Sequence, residues 1–147
     1  MHPTVRNLAL ALVLPTAAAL PTFAASPTDA CSFFTAADVS SAIGSPVAKG
    51  TSTPGFTQTC TWDIQSGGAV TLHFQTIAFF NAGKGALAGS ERTSASGIGD
   101  EAYYLVGGLS VRKGGTAFKV SVYSRDLSPD QLKAVEKNLA QQVLSKL

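Results

Sequence analysis

The chain has 147 residues, of which 45% are hydrophobic and 14% charged, and its formal net charge at pH 7 is +2. This length fits one folded domain with its own core. The near-neutral charge excludes the strongly basic surface that nucleic-acid binding requires.

The N-terminal residues predict a secretory signal peptide. Arg6 precedes an almost wholly apolar run over residues 8–20, and the small residues Thr22 and Ala24 fit the pockets of signal peptidase. We therefore place the cleavage after Ala24. The alternative is a membrane anchor, but the apolar run of 13 residues is shorter than the ~20 residues that span a bilayer. No stable membrane span is expected after cleavage. The product would be soluble, either periplasmic or extracellular.

Cys31 and Cys60 are the two cysteines of the sequence. An exported protein meets an oxidising compartment, and an even number of cysteines there predicts pairing. The bridge would close a loop of about 30 residues, for which chain-entropy arithmetic gives about 3.5 kcal/mol of stabilisation. A reactive thiol is the alternative interpretation.

The sequence after the signal predicts a flexible leader over residues 25–30 and one domain over residues 31–147. The first helix of this domain is predicted over residues 36–43, because Thr35 can cap it with Asp38 three residues later. The following glycine, in a left-handed conformation, would end the helix.

A long loop is predicted next, from Ser45 to Thr57, because the segment is rich in Ser, Thr, Pro and Gly. Two strands follow over residues 58–65 and 69–75, since polar and apolar residues alternate on both sides of a Ser-Gly-Gly turn. This pattern predicts a hairpin with one buried face.

A second helix is predicted from Ile77 to about Ser90 on the spacing of its apolar residues, although two internal glycines oppose it by about 1 kcal/mol each. Residues 94–99 are predicted to be a second loop. The last helix should start at Pro129 after the capping residue Ser128. Its apolar stripe is predicted to exclude three charged residues, Lys133, Glu136 and Lys137.

Between these helices, glycine pairs separate three predicted strands over residues 101–106, 109–113 and 116–124. In the longest strand, Phe118, Val120 and Val122 face one way and Lys119, Ser121 and Tyr123 face the other. The element order predicts an α+β fold: an antiparallel sheet of about five strands, a hairpin plus a three-stranded meander, packed against two to three helices.

Several segments resemble one protein family. They are CSFFTAADV at 31–39, IG at 43–44, CTW at 60–62, GIGDEAYY at 97–104 and LSVRKG at 109–114. They resemble blocks of a family of small bacterial envelope proteins, many of them actinobacterial lipoproteins containing a domain of unknown function. The resemblance implies export and a bridge between the two cysteines, and it brings no activity or catalytic residues. This sequence lacks the lipidated cysteine of many relatives, which argues against membrane tethering.

The residues that usually carry catalysis are few. His73 is the histidine that remains after signal cleavage, and a hydrogen-bonded or solvent-facing role on its strand is the simplest interpretation. With one histidine and paired cysteines, the usual structural zinc sites are excluded unless two subunits share one. Asp100 and Glu101 are neighbours that should point to opposite faces, which does not suit a glycosidase carboxylate pair. Asp100 is expected to accept backbone N–H bonds in its turn.

Two adjacent aromatic pairs are the candidate ligand or partner platform: Phe79 with Phe80, and Tyr103 with Tyr104. In each pair one ring should point away from the core, and converging outward rings would form an amphipathic surface. The alternative is that helices bury both faces.

We therefore predict a non-enzymatic binding or interaction module of the cell envelope. Its partner would be a small apolar ligand or an envelope protein, and we expect no metal or other cofactor. One alternative is an enzyme with a site near His73 or Asp100. Another is a structural or inhibitory protein that acts through a sheet edge or through the loop between Ser45 and Thr57.

Overall fold

The structure is a computed structural model that describes residues 27, 29–53, 55–86, 93–105 and 107–147. The predicted signal peptide, residues 1–24, lies outside the described residues, and so does part of the predicted leader. None of the helices in these ranges is both long and apolar enough to cross a membrane.

A short 3₁₀ turn at Ala30–Ser32 opens the domain, and seven strands and three α-helices follow within the described ranges. The strands are β1 (Thr51–Thr53), β2 (Phe56–Asp63), β3 (Gly68–Gln75), β4 (Thr93–Ser94), β5 (Glu101–Leu105), β6 (Gly108–Lys113) and β7 (Thr116–Ser124). The helices are α1 (Ala36–Ile43), α2 (Ile77–Ala86) and α3 (Pro129–Leu144).

The strands form one antiparallel sheet in the order β1-β2-β3-β7-β6-β5-β4. The predicted α+β fold is confirmed, but the predicted number of about five strands is wrong, because the sheet has seven. The two additional strands are the short edge strands β1 and β4. β1 lies inside the segment predicted as the first loop, and β4 ends at the first residue of the predicted second loop. Two or three residues are too few to show an alternating pattern.

The hairpin and the meander join because β3 and β7 are antiparallel neighbours along their whole length. Leu72 lies opposite Val120 and Phe74 lies opposite Phe118 in this register. Directly opposite residues share one face of a sheet, so these four apolar side chains continue the buried face of the hairpin into that of the meander.

The helix ends follow the predicted capping chemistry. Thr35 and Asp38 form a reciprocal capping box at the start of α1, and Gly44 ends the helix with a φ of 75°. Ser128 and Gln131 form a second capping box at the start of α3. α2 begins at Ile77 as predicted, whereas the last predicted residues of this helix, 87–90, lie outside the described part.

The core lies between one face of the sheet and the helices α1 and α3. Val39 and Ile43 of α1 belong to it, as do Leu139 and Val143 of α3. The predicted disulfide is confirmed: Cys31 in the 3₁₀ turn is bonded to the fully buried Cys60 of β2, with 5.0 Å between their Cα atoms. The bridge therefore fixes the N-terminal segment to the sheet at the border of the core.

Candidate functional site

The two faces of the sheet are covered unequally. α1 and α3 cover the core face, whereas α2 lies on the opposite face, where Phe80 packs against Tyr103 and Ala117. Beyond α2, no described element covers the part of this second face that β2, β3 and β7 form, so this part is accessible. We call it the open face, and it comprises Thr59, Thr61, Asp63, Ala69, Thr71, His73, Lys119, Ser121 and Tyr123.

A row of hydroxyl groups crosses the middle of the open face. Thr71 lies opposite Thr61 on one side and Ser121 on the other, and Thr51 of β1 extends the row beyond Thr61. The hydroxyl oxygens of Thr61 and Thr71 are 3.4 Å apart. Because neighbouring strands are about 4.8 Å apart, the row presents donors and acceptors at nearly regular intervals across four strands.

His73 lies in the next row of the open face, between Thr59 and Lys119. The Thr59 hydroxyl and His73 Nδ1 are 2.7 Å apart and share a hydrogen bond. Burial, with a smaller contribution from the Lys119 ammonium, lowers the pKa of His73 below its ordinary value of 6.5. The ring is therefore neutral at pH 7. No carboxylate is bonded to it in the described part of the chain, so the third member of a Ser–His–Asp arrangement is not assembled there.

Tyr123 stands at the end of the open face away from α2, in a row with Ala69 and Asp63. Its side chain is 63% exposed, although large aromatic residues are normally well covered. The small Ala69 beside it leaves the ring accessible. The open face thus combines one exposed aromatic ring with an array of hydroxyl groups.

The structure separates the four aromatic residues of the predicted platform. Phe80 and Tyr103 form a buried pair, with ring centroids 5.0 Å apart and the Tyr103 hydroxyl donating to the Phe80 carbonyl at 2.8 Å. Tyr104 faces the opposite side of the sheet, where its hydroxyl donates to the Lys133 carbonyl of α3 at 3.2 Å. Phe79 is 64% exposed. In each adjacent pair, therefore, the two aromatic rings lie in different surroundings.

Asp100 links the β6–β7 turn to the start of β5 through hydrogen bonds. Its carboxylate accepts a hydrogen bond from the Gly114 N–H at 2.7 Å and one from Lys113 Nζ at 3.2 Å. The Gly114 hydrogen bond is the main reason that the pKa of Asp100 lies below its ordinary value. The neighbouring Glu101 forms ion pairs with Lys84 and Arg112. Over the ranges that the structure describes, no group of three His, Cys, Asp or Glu side chains could hold a metal ion.

Glu136 is the residue that the sequence pattern misplaced. It was predicted to lie outside the apolar stripe of α3, but its side chain is buried and its carboxylate accepts the Val122 N–H at 3.1 Å. The ladder between β6 and β7 ends at Leu109 and Val120. Val122 therefore lies beyond the end of β6, and its N–H needs an acceptor other than that strand. Burial raises the pKa of Glu136 to about 6.

The burial of Glu136 predicts a pH-dependent stability. Because the pKa of Glu136 is 4.5 ordinarily and about 6 in the folded protein, the folded state binds the carboxyl proton more tightly than the unfolded state does. The stabilisation from protonated Glu136 is therefore present below pH 4.5 and is lost as the pH rises through 6. Relative to a Glu136→Gln variant, the wild type should gain about 1–2 kcal/mol of unfolding free energy between pH 7.5 and 4.5. Urea unfolding at both pH values measures this; parallel pH profiles for the two proteins would contradict it.

Comparisons of the chain with protein-family models, curated proteins and solved structures found no match. The resemblance to small bacterial envelope proteins therefore stays a prediction. The candidate site must be interpreted from its own chemistry.

Proposed function

We propose that the protein is a non-enzymatic binding module of the bacterial cell envelope and that its open face binds a neutral glycan strand. The observation that carries the proposal is the row of hydroxyl groups across neighbouring strands, on the same face as the exposed ring of Tyr123. The proposal retains the predicted class of protein but moves the binding surface away from the aromatic platform.

The chemistry of a sugar matches that of the open face. A pyranose ring presents hydroxyl groups at its edges and C–H groups on its faces, so it can hydrogen-bond to one surface while packing on an aromatic ring. The row formed by Thr61, Thr71 and Ser121 offers both donors and acceptors, and bridging waters can complete such contacts at little cost. Tyr123 offers the aromatic surface. A row of hydroxyl groups across four strands suits an extended polymer better than the predicted small apolar ligand, which needs a concave apolar site.

The charges of the open face favour a neutral ligand. Asp63 and Lys119 carry opposite charges and the ring of His73 is neutral at pH 7, so the formal charges on this face cancel. A strongly anionic polymer would gain from Lys119 and be repelled by Asp63. Electrostatic complementarity therefore favours an uncharged strand over a charged one.

Two further observations support an envelope location and use of the face rather than an edge. The Cys31–Cys60 bridge is of a kind that persists in oxidising compartments outside the cytosol. The edge strands β1 and β4 are only 3 and 2 residues long. Short edge strands discourage the addition of a further strand, which weighs against the alternative of a protein that acts through its sheet edge.

The test compares two exposed aromatic residues. Tyr123→Ala removes the ring of the open face, and Phe79→Ala removes an equally exposed ring of the originally predicted platform. Neither side chain belongs to the core, so both variants should fold. Binding to β-1,4-linked N-acetylglucosamine hexamers, measured by titration calorimetry, is expected to weaken on the order of tenfold in Tyr123→Ala and to be unchanged in Phe79→Ala.

Two results would overturn the proposal. If Phe79→Ala weakens binding and Tyr123→Ala does not, the surface beside α2 is the binding site. If the wild type binds neither these oligomers nor purified peptidoglycan, the open face does not serve neutral glycans.

A further inference from the structure

The positive charge of the open face lies at one corner, where β6 begins with a glycine pair. Lys119 is half-buried, and its aliphatic stem lies over these glycines. A Cβ atom added at Gly108 would lie 3.0 Å from Lys119 Cε and 2.6 Å from Ser121 Oγ. One added at Gly107 would lie 3.9 Å from Lys119 Nζ. The ammonium and the last hydroxyl of the row therefore border the same stretch of backbone without side chains.

No carboxylate lies within ion-pair distance of this ammonium in the part of the chain that the structure describes, where the ion pairs involve three other cations. Lys119 attracts the Glu136 carboxylate, but that group is buried on the core side of the sheet and accepts the Val122 N–H. His73, directly opposite Lys119, is neutral at pH 7. The ammonium is therefore available to an acidic group of a ligand.

The two formal charges of the open face cancel in sum but not locally. Asp63 lies on β2 in the row of Tyr123, whereas Lys119 lies on β7 four residues before Tyr123, with β3 between the two strands. With ~4.8 Å between strands and ~3.3 Å per residue, the Cα atoms of Asp63 and Lys119 are roughly 16 Å apart. The Debye length at physiological ionic strength is about 8 Å. A single negative charge beside Lys119 is therefore attracted without appreciable repulsion from Asp63.

We infer that Lys119 and Ser121 form a subsite for one carboxylate carried by an otherwise neutral glycan on the open face. The inference rests on the proposed function and adds to it the acidic substituent and the end of the hydroxyl row at which this substituent binds. The Ser121 hydroxyl can donate to the carboxylate, and the Lys119 ammonium supplies the opposite charge. Gly107 presents no side chain beside the ammonium. The ligand class is a sugar with a carboxylate, either a uronic acid or a sugar with an ether-linked lactate.

The test compares two N-acetylglucosamine hexamers that differ in one charge. Oxidation of the reducing end gives an aldonic acid with a single carboxylate, and reduction of the same end gives a neutral alditol with the same open chain. In titration calorimetry at low salt, we expect the acid to bind about three- to fivefold more tightly than the alditol. This preference should fade at high salt, because salt screens the attraction to the ammonium.

Three variants locate the preference. Lys119→Gln removes the charge and should make the two hexamers bind equally, whereas Lys119→Arg keeps the charge and should retain the preference. Lys137→Gln makes the same change of charge at an exposed position of α3, away from the open face, and should leave the preference unchanged.

The outcomes separate this inference from the proposed function. If the wild type binds both hexamers equally, or if the preference for the acid persists in Lys119→Gln, the subsite is overturned while the open face remains a glycan site. If the wild type binds neither hexamer, the proposed function fails and the subsite fails with it.

Two acidic tetrasaccharides distinguish the sources of the carboxylate. In one, N-acetylglucosamine alternates with N-acetylmuramic acid, and in the other it alternates with glucuronic acid. Tighter binding of either one than of the neutral N-acetylglucosamine tetramer, lost in Lys119→Gln, supports the inference and identifies the acidic sugar. Weaker binding of both than of the neutral tetramer would contradict it.

Discussion

Replacing both cysteines by alanine is expected to lower the free energy of unfolding by about 3–4 kcal/mol. The bridge spans 29 residues of sequence and joins the segment before α1 to β2, so its loss greatly enlarges the unfolded ensemble. Two ring contacts would remain in this segment, Phe33 with Phe74 at 4.8 Å between centroids and Phe34 with Trp62 at 5.6 Å. A hydrogen bond from Lys146 Nζ to the Phe33 carbonyl would also remain.

Urea unfolding of the double variant, compared with the oxidised and the reduced wild type, measures this effect. The reduced wild type is the control, because it loses the covalent bond without losing the buried sulfur atoms. Hydrogen exchange should accelerate more in α1 than in β7, since β7 lies at the centre of the sheet. A loss of less than 1 kcal/mol in both reduced and substituted proteins would mean that packing alone fixes the N-terminal segment.

A Gly50→Ala substitution is expected to lower the free energy of unfolding by about 2–3 kcal/mol. A Cβ atom at this position would lie 2.6 Å from the indole ring of Trp62 and 2.8 Å from Cys60 Sγ. The indole is buried in the core and the sulfur is held by the bridge, so neither can move aside without disturbing its neighbours.

Gly115→Ala is the matched control for this substitution. Gly115 also lacks a positive φ, but a Cβ atom there would meet no atom within 4 Å. We expect a change below about 0.5 kcal/mol in this variant. Equal stabilities of the two variants, measured by thermal and urea unfolding, would show that the space above Trp62 is less restricted than the structure indicates.

The elements that could be predicted from the sequence are those that local chemistry determines. The capping residues Thr35 and Ser128 act within one helical turn, and the glycine turn at Gly114 joins strands that are adjacent in sequence. The pairing of β3 with β7 is different, because 40 residues, 76–115, lie between these strands and no local pattern records which strands become neighbours.

The candidate site shows the same division. Alternation in β7 correctly placed Lys119, Ser121 and Tyr123 on the face opposite the core. That this face stays accessible depends on where α2 packs, which is a tertiary property. The burial of Glu136 likewise depends on β7 extending past the end of β6, a difference in strand length that the helical pattern of α3 does not contain.

The central claim is that the open face binds sugars. NMR mapping of a glycan on the protein tests this claim most directly. Titration of the ¹⁵N-labelled protein with N-acetylglucosamine hexamer should shift the amide signals of Thr61, Thr71, Ser121 and Tyr123 while leaving those of α3 in place. Shifts confined to α2 or to the α1 and α3 side of the molecule, or no shifts at saturating sugar, would contradict it.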